Sequence, residues 1–299
     1  VSILTGNTTR QFSTPYLTVD EYKQAPTAID YNNLVVASAD PAVQDAELAN
    51  VIARASSWID TYCNQIIGAT QETEQQRSRL RSDGMLIVHP RYFPVVALTA
   101  FSFGVDPNGL VNYPDPSLGW IEDQSIVLPY TSANLSYSSQ GPLQFGMPAI
   151  PRSGVYCRYT YVSGYANTLI NATVSSGATS ITVADATGIT AGTRLTIFNG
   201  LSTETVTVAS TYSFGSTTVP LVTATAYAHA SGISISSLPP AVKEAAILAT
   251  TAFIKVRGDT SLVMDVISTP MSQGTQEKQG IANDLGIARE LLMPFRRIR

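Results

Sequence analysis

The chain has 299 residues, 44% of them hydrophobic and 13% charged, with 18 Lys and Arg against 22 Asp and Glu for a formal net charge of −4. This size and apolar content allow a substantial core in one or two domains, while the charged fraction lies well below the usual value of about 25%. The acidic balance argues against a dedicated nucleic-acid binder, which needs cations clustered against phosphates, and weakly charged surfaces of this kind often meet other proteins.

The opening VSILTGNTTRQFST has neither a basic nor an apolar signal region, so no secretory signal is expected. No run of about 18 apolar residues predicts a membrane span. In YLTVDEYK, Thr18 and Glu21 have capping-box spacing, which predicts a short helix that Pro26 must end. Asp40-Pro41 reads as an N-cap with proline at the first helical position. The long helix that follows carries Leu48, Val51, Ile52, Ala55, Ile59, Tyr62 and Cys63 at steps of three and four, which gives it one apolar face.

From Gln75 the period changes to two. Arg77, Arg79 and Arg81 interleave with Ser78 and Leu80, and Ser82-Asp83-Gly84 reads as a turn into MLIVHP, so a pair of hairpin strands is expected. Further strands are predicted over Val95 to Val105, Trp120 to Leu128 and Val155 to Val162, with a turn at Asp106-Pro107-Asn108-Gly109. Between Thr168 and Ser237 the only charged residues are Asp185, Arg194 and Glu204. There SITVADATGITAGTRLTIF and ETVTVAS alternate apolar and small polar residues. Glycines 177, 188, 192, 200, 215 and 232 punctuate this stretch, as in a small barrel or sandwich.

Helix resumes in LPPAVKEAAILATTAFIKVRG, where Val242, Ala245, Ala249, Phe253 and Val256 share a face before Gly258. A last helix through Ile281, Leu285, Ala288, Leu291 and Leu292 ends before Pro294, and the chain closes on PFRRIR. The fold class expected is α+β: a helical core with a β-strand and hairpin region, plus an inserted all-β domain. Residues 1–167 and 237–299 form the core in this reading, and 168–236 the insert.

No catalytic, cofactor or metal residue is assigned. Cys63 and Cys157 lack CxxC spacing and do not cluster with His89 or His229, so zinc is not expected. Two buried free thiols are the plain reading and a disulfide the alternative; a reducing compartment fits. Neither histidine sits near a nucleophile elbow, and the glycines follow no phosphate-loop spacing. Glu122 and Asp123, adjacent on a predicted strand, point to opposite faces and cannot share a metal. Arg77, Arg79 and Arg81 would share a strand face, either as a solvated or protected edge or in contact with nucleic acid or an acidic partner. FRRIR is either a frayed terminus or an apolar and cationic tail for a partner's groove.

Three pieces in order carry a resemblance: ASSWIDTYCNQ, then YTYVSGYAN, then LPPAVKEAAILATTAFIKVRG followed by ELLMPFRR. Together they resemble the head-tail connector (adaptor) proteins of tailed bacteriophages. Tyr161, Gly164 and Tyr165 match the middle element; Pro240, Lys243, Ala246 and Arg257 the helical one; Pro294, Phe295 and Arg296 the terminal one. The stretch from Asn167 to Ser237 departs from the family, which has a short link there, and resembles small β domains grafted into phage structural proteins.

The resemblance implies a virion component assembled in the host cytoplasm, a ring of about twelve copies beneath the portal protein. It would join the head to the next neck or tail protein, a stopper or tail terminator. Genomic DNA would pass through its channel without specific binding, and no membrane is involved. The resemblance also implies that Leu291, Leu292, Phe295, Arg296, Arg297, Ile298 and Arg299 face the portal. Because DNA must slide, the face of Arg77, Arg79 and Arg81 is expected not to lie wholly in the channel. Alternatives are a stopper or tail-completion protein of the same neck, or a β module that recognises a host surface.

Overall fold

The computed structural model describes residues 14–27, 29–32, 34–35, 37–78, 81, 85–104, 107–113, 115–129, 154–256 and 276–297, with side chains in the last helix from 283 onward. The expectation of a helical core is corrected. Among the described residues 13 strands form four antiparallel sheets, and only about 29% is helical. Four helices, α1 (Val19–Gln24), α2 (Pro41–Cys63), α3 (Pro240–Lys255) and α4 (Gln276–Leu292), supply one hydrophobic core beside separate β cores. The chain divides into two compact units: residues up to Gly68 together with those from Tyr165 onward, and Ala69–Gly164.

In the first unit Thr18 caps α1, with both halves of the capping box formed to Glu21. Asp40 caps α2, which stops where Asn64 takes a left-handed conformation, φ 54°. Leu48, Val51, Ile52, Ile59 and Cys63 of α2 meet Val242, Ala245, Ala246 and Ile254 of α3 and Ala288 and Leu292 of α4 in one core. Small residues on α3 let its backbone approach its neighbours: Ala245, Ala249 and Ala252 are fully buried.

The same unit holds the glycine-punctuated module. Strands β8 (Asn167–Leu169), β10 (Arg194–Phe198), β11 (Glu204–Thr207) and β13 (Ser234–Ser236) form one sheet in the order β11-β10-β13-β8. Strands β9 (Ser180–Thr182) and β12 (Thr218–Pro220) form another. Ile181, Val183, Ile189, Leu195, Ile197, Val206, Val208, Val219 and Ile235 make a core private to the module. Gly177, Gly192, Gly215 and Gly232 adopt positive φ at its turns, the conformation that favours glycine.

The second unit has two sheets around one core. Strands β1 (Thr70–Ser78), β7 (Val155–Ser163), β3 (Val95–Gly104) and β4 (Val111–Asn112) run in the order β1-β7-β3-β4. Strands β2 (Met85–Val88), β6 (Ser125–Pro129) and β5 (Trp120–Glu122) run in the order β2-β6-β5. Strand β1 pairs with β7 and β2 with β6, and the Arg81 amide donates to the Met85 carbonyl at 2.9 Å across the expected turn, whose residues Ser82, Asp83 and Gly84 lie outside the described residues. Phe101, Phe103, Cys157, Tyr159 and Tyr161 of the first sheet face Leu86, Val88, Ile126 and Leu128 of the second. Trp120 to Leu128, read as one strand, is a hairpin: Asp123 and Gln124 take φ of 46° and 65° in its two-residue turn. Asp123 therefore lies in a turn rather than on a strand.

Candidate functional site

Some residues of the matched segments, Tyr62, Cys63 and Gln65 of the first, Tyr165 of the second and Phe295 and Arg296 of the last, meet at the C-terminal end of α2. Tyr62 lies in the last turn of that helix and its hydroxyl donates to the Arg289 carbonyl of α4, 3.3 Å. The guanidinium groups of Arg289 and Arg296 lie 5.7 and 5.5 Å from the Tyr62 ring centroid, within the range of cation–π attraction. Gln65 Nε2 donates to the Phe295 carbonyl at 2.9 Å, and the Arg297 amide donates to the Cys63 carbonyl at 2.9 Å. The Cys63 carbonyl belongs to the last turn of α2, where no helical donor remains, so the C-terminal segment supplies one. Phe295 meets Tyr165 edge to face, centroids 6.4 Å apart, and the Tyr165 amide donates to the Ile67 carbonyl at 2.9 Å.

This geometry sorts the residues expected to face a portal. Leu292 is fully buried in the helical core, while Leu291 and Phe295 are partly buried against it. Arg296 is exposed, Arg297 is half-buried, and the neighbouring Met293 is 64% exposed. Ile298, Arg299 and Arg257 lie outside the described residues. Met293, Pro294 and Arg296 are the exposed side chains of this segment, while Leu291, Leu292 and Phe295 beside them pack inward.

Of the basic strand, Arg77 stands on the solvent face of β1, and Arg81 is exposed beyond the strand end. Arg79 lies outside the described residues. Arg77 Nη2 donates to the Tyr156 hydroxyl at 2.9 Å, and its guanidinium lies 4.4 Å from that ring's centroid. A second arginine that the sequence reading passed over joins it: Arg158 on β7 is exposed and in register opposite Gln75. With the Gln75 amide oxygen turned toward it, Arg158 donates from Nε and Nη2 at 2.7 and 2.8 Å. Nothing in VYCRYTYV marks Arg158 as a neighbour of Arg77; only the β1–β7 register does.

On the core side of β1, Glu74 accepts from the hydroxyls of Tyr161 at 2.6 Å and Tyr159 at 3.1 Å, and from the Arg91 amide at 3.2 Å. Burial raises the pKa of both phenols, and the charge and hydrogen bonds of Glu74 raise them further.

Two ionic contacts were invisible in sequence. Lys243 Nζ sits 2.7 Å from Glu21 Oε1, with side chains only 7% and 8% exposed. It also lies 4.2 Å from the centroid of the Phe198 ring. The pair forms part of the wall of a cleft of about 530 Å³, which Leu17, Pro26, Phe198, Leu201 and Ile247 also line. In the β module His229 Nε2 lies 2.7 Å from Glu204 Oε1, and the Asn199 amide donates to Nδ1 at 3.2 Å, which leaves the proton on Nε2. Burial alone would raise the Glu204 pKa, but the amides of Ala226 and Tyr227 together with His229 hold it below the usual carboxylate range. The result is a locked loop.

Cys63 and Cys157 are separate, buried free thiols, and burial pushes each pKa up to about 12. Among the described residues no group of three His, Cys, Asp or Glu side chains can hold a metal ion, and no helix is long and apolar enough to cross a membrane. No protein-family model matches the chain, and a search of curated proteins finds no match either.

Proposed function

We propose that this chain is a structural subunit of a tailed-phage neck. In this reading it is a head-to-tail connector that assembles as a ring of about twelve copies beneath the portal protein, bridges to the next neck or tail protein, and leaves a channel for DNA. The observation that carries the reading is the joint at the end of α2. Tyr62, Tyr165 and the pair Phe295 and Arg296 come from matched segments far apart in the chain and could have fallen in unrelated places, yet they form one packed cluster. A cluster of that kind is what a shared ancestral core would retain, and the β module from Asn167 to Ser236 departs from it and returns to it as an insert.

A non-enzymatic, structural role accords with the low charge, since permanent interfaces exclude unpaired charge. The portal is met, in this reading, by the C-terminal segment through Met293 and Arg296. Negative-stain electron microscopy of the purified full chain, and immunogold labelling of virions, test the proposal. Rings with an open centre and label at the head–tail junction are expected; a monomer at every concentration, absent from particles, refutes it. Deleting Phe295 to Arg299 should weaken portal capture, and unchanged capture would remove the C-terminal segment from the contact.

A further inference from the structure

The second unit carries two surfaces of opposite character on opposite sides of its core. The outer face of the sheet β1-β7-β3-β4 presents Gln71, Thr73, Gln75 and Arg77 on β1, with Arg158 and Thr160 on β7. Among the described residues this face holds no carboxylate. Both arginines are held by uncharged neighbours, Arg77 by the Tyr156 hydroxyl and ring and Arg158 by the Gln75 amide, so their charges are oriented but not neutralised.

On the other sheet, Trp120 pairs with Val127 and Val127 with Ile87. The residues that alternate with these, Leu86, Val88, Ile126 and Leu128, fill the shared core, so Trp120 lies on the outer face. Trp120 is 43% exposed, and its indole N–H donates to Glu122 Oε2 at 3.4 Å. Asp123 is exposed in the adjoining turn, and Leu118, just before the strand, is 44% exposed.

We propose that these two surfaces bind each other between neighbouring copies of the chain, the Arg77–Arg158 face of one against the Trp120–Glu122–Asp123 knob of the next. The inference rests on the ring reading above and names the contact that closes the ring. A head-to-tail contact needs two different, complementary patches on one subunit, turned away from each other; a two-fold dimer would need one self-complementary patch. Arginine, tyrosine and tryptophan are the residues most often at the energetic centre of protein contacts. Nucleic acid is the weaker fit for the arginine face, because the chain as a whole is acidic and a dedicated phosphate track needs clustered cations. The opposing knob supplies what the face lacks: carboxylates and an exposed indole.

The test is charge reversal in the full chain. Arg77→Glu with Arg158→Glu gives two acidic patches, and Glu122→Arg with Asp123→Arg gives two basic ones. Each pair should abolish rings, or raise the concentration needed for assembly by more than about tenfold, while the far-UV circular dichroism spectrum and a cooperative thermal transition show the chain still folded. The fourfold variant restores opposite signs and should restore rings in native mass spectrometry and micrographs. Rings that persist in both double variants overturn this inference and leave the connector reading standing. A parent chain that never assembles overturns both. If the parent chain binds DNA and the arginine reversal abolishes that binding without loss of rings, the face belongs to nucleic acid and the inference is wrong.

Discussion

Replacing Glu21 by Gln measures what a buried ion pair does for the helical unit. Lys243 Nζ is 2.7 Å from Glu21 Oε1 with both side chains more than nine-tenths buried, and its other neighbours, the Phe198 ring and Ser234 Oγ at 3.4 Å, carry no charge. Burial lowers the Lys243 pKa below the ordinary 10.5, and attraction to Glu21 offsets that only in part. Glutamine keeps the capping box of α1, since Gln serves at that position as Glu does, but leaves the ammonium unpaired. The expected loss is about 3 kcal/mol, the lower end of what breaking a buried pair costs.

Lys243→Met should cost less, about 1–2 kcal/mol, because Glu21 keeps its bond from the Thr18 amide at 2.6 Å and methionine refills the space. The double variant should recover most of the loss, as replacement of a whole buried pair by apolar groups often does. Urea unfolding with a constant slope reads all three. A lysine whose pKa is lowered by folding binds fewer protons than the unfolded chain between its lowered value and 10.5, so stability rises with pH across that window. Glu21→Gln lowers the value further, and its deficit should shrink in alkaline buffer. A deficit under about 1 kcal/mol near neutral pH, or one that does not shrink toward pH 10, refutes the account of the pair as a compensated buried charge.

Leu292→Ala should lose about 2–5 kcal/mol because its side chain is fully buried, whereas Arg296→Ala should stay within about 1 kcal/mol; equal losses would mean the C-terminal segment packs otherwise. Glu74→Ala takes the acceptor from the Tyr161 hydroxyl and leaves that of Tyr159 only the longer contacts, 3.4 Å, to Gln76 and the His89 carbonyl, with both rings fully buried, and should cost about 2 kcal/mol by the same denaturation assay. Those phenols have raised pKa values when folded, so their contribution is complete below about pH 10 and is lost as pH rises further; in the parent chain alkaline unfolding should begin there. With both thiols pushed up to about 12, a thiol reagent near pH 8 should leave the native chain unlabelled and label Cys63 and Cys157 once urea unfolds it. Rapid labelling of the folded chain would contradict their burial.

The helices were legible because their signals are local. Thr18 with Glu21, Asp40 with Pro41, and the apolar steps from Leu48 to Cys63 each act within a few residues, and the helices start and pack accordingly. The strands were less so. TQETEQQRS reads as polar on both faces, yet it forms β1: its core side is capped by tyrosine hydroxyls from β7 rather than by apolar side chains. The signal that makes it a strand sits some 80 residues away in sequence. The turn at Asp123-Gln124 uses two non-glycine residues at positive φ, so the hairpin lacked its usual marker and was read as one strand. Weighting local helix signals over such long-range pairing is what put helices at the centre of a chain that is mostly β.

The candidate surfaces show the same division between local and long-range information. The arginine alternation in RSRLR pointed to a basic face, but the sequence could supply only arginines that neighbour each other along the strand. Register adds Arg158 from β7 and shows that the carboxylates of β1, Glu72 and Glu74, lie on the other side. Period two therefore separates the charges of a single strand by sign, basic outward and acidic inward. In a chain with so few charges, that separation turns a modest excess of acid into a distinct cationic surface. The acidic residues of the Trp120 knob stand on the far side of the same core, so the second unit is polar across its thickness although its composition gives no hint of it. A subunit with opposite signs on opposite faces has a built-in direction of stacking, and electrostatics alone would favour head-to-tail over face-to-face association.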